Sequence, residues 1–199
     1  MAVAVSSAFA DAYDDFFQTV KRNDAGSLQS LLQRGMDPNA RDEKGQVGLY
    51  LALRGEAFAA ADTLLQARDV DVNAANAVGE TPLMMAALRG LTDWEARLLD
   101  KGARIDQAGW SPVLYAASGP EPKAVALLLD KGAPANGRSP NGTTPLMMAA
   151  RYGNEASVRL LLDRGADPKA RNDLNLTAAD FAKMAGREKL AEQLATLAR

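Results

Sequence analysis

Apolar residues along this chain fall into paired short runs. The first run of a pair mixes large apolar with small residues and in three units begins at a Ser-Pro or Thr-Pro step, as in TPLMMAA at 81–87, which returns unchanged at 144–150. The second run spaces its apolar positions at helical intervals and carries Leu98 and Leu99, Leu127 to Leu129, or Leu160 to Leu162 on one side. Thr81, Ser111, Thr144 and Thr177 mark the first runs at intervals of 30, 33 and 33 residues; Val47 stands 34 residues before Thr81, and Asp14 another 33 before Val47. Six units therefore tile the chain. At Thr81, Ser111 and Thr144 the side chain is suited to capping a helix whose first position is the following Pro, where a missing N–H leaves nothing unsatisfied. The pairs Ala86 and Ala87, Ala116 and Ala117, and Ala149 and Ala150 let neighbouring helices approach closely. Gly35, Gly102, Gly132 and Gly165 are placed to end the second helices in the left-handed conformation. A tip such as DEKG at 42–45 or NAVG at 76–79 then reverses the chain. The pattern predicts an all-α repeat solenoid of stacked helix-turn-helix units with short β-hairpin or loop tips. Phe16, Phe17 and Val20 are expected to face inward at one end, and Leu190, Leu194 and Leu197 at the other.

TPLMMAA, LLQRGMDPNA at 31–40 and LLDRGADPKA at 161–170 resemble the ankyrin repeat, whose period is about 33 residues and whose signature is T-P-L-H-x-A. The resemblance implies a single repeat domain over 11–199 with an N-terminal cap at 11–45, units at 46–79, 80–109, 110–142 and 143–175, and a C-terminal cap at 176–199. One departure is chemical. The family's His joins a hydrogen-bond network at the start of the first helix, whereas Tyr50, Met84, Leu114 and Met147 stand there in this chain, so apolar contact is expected to replace the network and stability to depend less on pH near neutrality. Other departures are structural: KGARIDQAG at 101–109 shortens the arm of the third unit, and Gly119, Pro120 and Pro122 rewrite the turn of the fourth.

Composition removes most chemistry. The chain has no Cys and no His, which excludes His-dependent or Cys-dependent nucleophiles, imidazole bases and structural zinc sites. Its 23 Lys and Arg balance 25 Asp and Glu, so no overall field draws it to nucleic acid or to an anionic membrane. No apolar stretch reaches the roughly 20 residues of a spanning helix. Residues 69–80 place carboxylates at calcium-loop positions, but Ala74 occupies the place of the turn Gly and the stretch coincides with an arm. GAPANGRS at 132–139 has Arg138 where a phosphate loop needs Lys. Adjacent carboxylates such as Asp14 with Asp15 do not face each other as a catalytic pair would. No catalytic, metal or cofactor residue is assigned, and the protein is expected not to be an enzyme.

At the N-terminus Ala8, Phe9 and Ala10 precede Asp11 in the small-residue pattern of an export cleavage site, so 1–10 reads as a leader or signal remnant and the expected setting is a periplasm, with the cytoplasm as the alternative. The richness in Ala, Leu and Arg suits a bacterium.

The resemblance also implies where a partner would bind. In the family the variable exposed positions follow the small pair of each first helix and surround the tips. Carried over, these are Lys21 with Arg22, Arg54, Leu88 with Arg89, Ser118, and Arg151 with Tyr152, a ladder with a cation at four of five steps. Trp110, just before Ser111, takes the family position that points toward a partner, or else folds back over the shortened arm; Trp94 takes a core position of a second helix. Arg54, Leu88, Arg89, Trp110, Arg151 and Tyr152 are therefore the expected contact residues for a protein partner with an acidic surface. The function implied is a monomeric, non-enzymatic protein-interaction module, and in a periplasm a protective or inhibitory factor. A self-associating structural protein that uses the hairpin face is the alternative.

Overall fold

The structure is a computed structural model; it describes the backbone of residues 2–106 and 109–198 and the side chains of 12–106 and 109–198. The chain groups into two compact units, Met1–Pro82 and Leu83–Arg199.

The first unit holds α1 (Ala2–Lys21), α2 (Ala25–Gln33), α3 (Gly48–Arg54) and α4 (Phe58–Leu65). The expected leader, 1–10, falls in α1 apart from Met1, and its side chains lie outside the described residues. Phe16, Phe17 and Val20 of α1 are buried with Leu28, Leu53 and Leu64, so the expected inner face is present. The arms between helix pairs are tied by an amide. Asn39 donates through Nδ2 to the Asp69 carbonyl and accepts through Oδ1 from the Asp71 N–H, both at 2.7 Å, which satisfies two backbone groups of the following arm. At the tips, Asp42 and Asn76 each accept two backbone N–H groups, from Lys44 and Gln46 and from Val78 and Glu80 respectively. The tips are turns: among the described residues the one β-type pairing is the isolated bridge between Arg41 and Val47.

The second unit continues from α5 (Pro82–Arg89), whose first residue closes the first unit, through α6 (Thr92–Asp100), α7 (Pro112–Ser118), α8 (Pro122–Asp130), α9 (Pro145–Arg151), α10 (Glu155–Asp163), α11 (Ala178–Met184) and α12 (Glu188–Leu197). Helices α7, α8 and α9 start at the expected Pro residues. Thr144 and Thr177 cap α9 and α11 through their side chains, but Ser111 makes no such bond to α7. The clasp of the first unit recurs, with Asn136 bonding the Gly165 carbonyl at 2.9 Å and the Asp167 N–H at 2.8 Å. Leu190 and Leu194 are buried as expected, whereas Leu197, also expected to face inward, is 55% exposed in the last turn of α12.

The position of the family's His is only partly apolar. Leu114 is fully buried, but the Met147 sulfur accepts the Thr144 N–H at 3.4 Å while Thr144 Oγ1 accepts the Met147 N–H, a capping box closed by a thioether. Tyr50 donates its hydroxyl to Glu80 at 2.6 Å, and burial with the neighbouring carboxylate pushes the phenol pKa up. Hydrogen bonding is thus retained with other atoms, contrary to the expectation of purely apolar contact.

Arg187, before α12, locks the last repeat to its neighbour. Its guanidinium donates to the carbonyls of Ala149, Ala150 and Gly153 at 3.0–3.1 Å, covering the C-terminal end of α9 where carbonyls lack intrahelical partners. Arg187→Ala is expected to lower stability by about 2 kcal/mol, since it leaves these acceptors without a charged donor. Urea unfolding checks this, and an unchanged midpoint would contradict it.

Candidate partner-binding surface

The second unit brings the ends of successive first helices together. An alanine Cβ at Gly119 would lie 2.6 Å from the Leu88 carbonyl oxygen, and one at Gly153 would lie 2.1 Å from that of Ala117. Backbone therefore meets backbone from α5 to α7 and from α7 to α9, and the residues at these helix ends form one surface.

On that surface Leu88 of α5, Trp110, Leu114, Tyr115 and Ser118 of the next repeat, and Met148 and Tyr152 at α9 line an open pocket of about 300 Å³. Leu114 is fully buried and forms its floor, while Tyr115 and Met148 are half-buried. Trp110 packs edge-on against Tyr115, with ring centroids 6.4 Å apart, and remains 36% exposed; Tyr152 is 57% exposed. Ser118 turns its hydroxyl back to the Leu114 carbonyl at 2.9 Å, so this wall offers its methylene rather than its donor. The guanidinium of Arg151 lies 5.0 Å from the Tyr152 ring and 5.9 Å from that of Phe181, a double aromatic contact that holds its charge in place.

Leu88, Trp110 and Tyr152 thus converge, Arg151 joins them through Tyr152, and Arg89 follows Leu88 at the exposed end of α5. Arg54 belongs to the first unit, exposed, with its guanidinium 5.8 Å from the Tyr50 ring. Trp110 combines the two expected roles: it packs on its own repeat through Tyr115 and still presents surface. Trp94 is buried with the Arg97 guanidinium 4.0 Å from its ring, in agreement with a packing role. Tyr115 and Met148 were not among the expected contact residues. Each stands four residues after its marker, Ser111 or Thr144, one turn before the groove position, and this spacing is the signal that could have found them.

Glu95 of α6 was not among the expected functional residues either. It is fully buried, and neither carboxyl oxygen has a hydrogen-bond partner among the described residues. Desolvation pushes its pKa up to about 8. Stability is therefore coupled to pH near neutrality, the reverse of the expectation drawn from the missing His.

Paired helices in a repeating period, with clasped arms and small residues where repeats touch, define a class of stacked helical repeat protein. The chain belongs to the ankyrin repeat family: the family model described as "Ankyrin repeats (3 copies)" matches residues 16–108 and 95–172. Among curated relatives, the chain is 32% identical over 112 residues to human neurogenic locus notch homolog protein 2, covering 55% of this chain and 4% of that protein. It is 36% identical over 95 residues to the nuclear factor NF-kappa-B p105 subunit of Gallus gallus, covering 47% of this chain and 10% of the relative. The chain therefore spans only a small part of these proteins. Solved structures match over nearly their whole length. One is a chain from a predatory endopeptidase of Bdellovibrio bacteriovorus in complex with an immunity protein, with a TM-score of 0.76, 29% identity, and coverage of 91% of this chain and 96% of that one. Another is an ankyrin repeat domain from Acinetobacter baumannii, with a TM-score of 0.75, 25% identity, and coverage of 92% and 97%. No helix among the described residues is long and apolar enough to cross a membrane.

Proposed function

We propose that this chain is a non-enzymatic binding module that holds a protein partner against the ends of its first helices, and that it serves as a protective or inhibitory factor in a bacterial periplasm. Ankyrin repeats are protein-protein interaction modules, and stacked repeats bind through extended surfaces. The observation that carries the reading is the convergence of Leu88, Trp110 and Tyr152 from three successive repeats on one exposed apolar pocket. Aromatic side chains in such a setting are the usual centres of binding energy. Likeness to a chain from an endopeptidase–immunity protein complex supports the protective role, and the Ala8-Phe9-Ala10 pattern supports export.

The test begins with capture of the partner from native extract by the intact protein. Arg89→Glu combined with Arg151→Glu is expected to weaken that binding by more than about tenfold with unchanged folding, and added salt to weaken the wild-type complex. Binding insensitive to both would remove the cations from the interface. The protective role predicts that the purified chain suppresses the partner's activity at equimolar concentration; full activity in the complex would contradict it.

A further inference from the structure

We propose that the pocket framed by α5, α7 and α9 receives one large apolar side chain of the partner, from an extended segment that carries a carboxylate about three residues to either side. This rests on the protein-binding reading above and specifies the chemistry of what is bound.

The pocket selects its occupant by what lines it. Leu114 below and Leu88, Tyr115 and Met148 around it line it with aliphatic, thioether and aromatic groups, and the Ser118 hydroxyl is turned back to the backbone. A charged or amide side chain placed there would lose its water without gaining comparable hydrogen bonds, whereas Leu, Met, Phe or Trp would lose only unfavourable contact with water. Trp110, backed by Tyr115, forms a rim that is already in position, so little side-chain freedom is lost when an anchor enters.

Charge sets the flanks. Arg151, held against Tyr152 and Phe181, stands on the α9 side, and Arg89 ends α5 on the other. Neighbouring helix axes are separated by roughly 8–10 Å, so the two cations lie on the order of 16–20 Å apart. At about 3.3 Å per residue this corresponds to five or six extended residues, which centres the anchor between two acidic positions.

Selection of a random dodecapeptide phage library on the intact protein tests this. The expected consensus holds one Trp, Phe, Leu or Met with Asp or Glu about three positions away on both sides. The synthetic consensus peptide, followed by fluorescence anisotropy, is expected to lose roughly tenfold in affinity to Tyr152→Ala or Trp110→Ala. Arg151→Glu is expected to weaken it similarly, and a peptide with Lys in place of the acidic residue facing Arg151 to recover binding to that variant. A polar or basic consensus, no consensus, or affinity indifferent to Tyr152→Ala and Trp110→Ala would overturn the anchor. Should the captured partner also bind those two variants as tightly as wild type, the anchor fails while protein binding stands. Absence of any bound protein would instead defeat the functional reading beneath it.

Discussion

Replacement of Glu95 by valine is expected to raise stability by about 3 kcal/mol at pH 7, a large gain for a protein whose whole folding free energy is on the order of 5–15 kcal/mol. The carboxyl is fully buried, lacks a hydrogen-bond partner among the described residues, and keeps its proton up to about pH 8 in the folded chain. In the unfolded chain it ionises near its ordinary value of 4.5. Below that value both states are protonated and this group's ionisation takes nothing from stability. Between about 4.5 and 8 the unfolded chain releases the proton and the folded chain does not, so stability falls by about 1.4 kcal/mol per pH unit; above about 8 both states are ionised and the loss levels off. Valine is the replacement that the chain itself supplies. Val125 and Val158 stand 14 residues after Ser111 and Thr144, as Glu95 stands 14 after Thr81, and both are buried. Urea unfolding at several pH values checks the prediction: the gap between Glu95→Val and wild type is expected to widen by about 3 kcal/mol from pH 5 to pH 8. Parallel profiles would show that Glu95 does not titrate in this window.

Gly153→Ala is expected to lower stability by about 3 kcal/mol or more, because the added methyl would meet the Ala117 carbonyl oxygen at 2.1 Å and the Ala149 Cα at 2.9 Å. The nearer obstacle is backbone of the preceding repeat, so its relief requires α7 and α9 to move apart. That separation would also shift Tyr152 relative to Ser118 and open the pocket, so loss of partner binding should accompany the loss of stability. Gly165 provides the control. Its φ of +81° disfavours alanine, but nothing lies within 4 Å of the added methyl, and Gly165→Ala is expected to cost about 1 kcal/mol. Equal effects at the two positions in denaturant titrations would mean that repeat contact at Gly153 is loose.

What the sequence made legible is what the period repeats. The Pro that starts α5, α7, α8 and α9, the inward Leu of the second helices, the left-handed Gly after α2, α6, α8 and α10 and the burial of Trp94 all follow from spacing, because each unit must bury the same face against its neighbour. Of the expected contact residues, Leu88, Trp110 and Tyr152 sit at repeated positions that line one pocket. What escaped depends on contacts between repeats. Nothing local distinguishes Gly153 as a point of backbone contact, and a Met sulfur in place of a His nitrogen is visible only once the Thr144 N–H is seen to point at it. The hydroxyl of Tyr50 finds Glu80 across 30 residues, a pairing no helical period encodes. Glu95 was open to detection as a lone charge in a column that otherwise holds Leu28, Ala61, Val125, Val158 and Ala191.

The central claim is that the ends of α5, α7 and α9 hold the partner, and hydrogen–deuterium exchange of the intact protein with and without the protein it captures tests it most directly. Added protection is expected around Leu88–Arg89, Trp110, Tyr115–Ser118 and Arg151–Tyr152, with little change on α6, α8 and α10. Protection confined to those second helices, with exchange at Trp110 and Tyr152 unaltered, would contradict it.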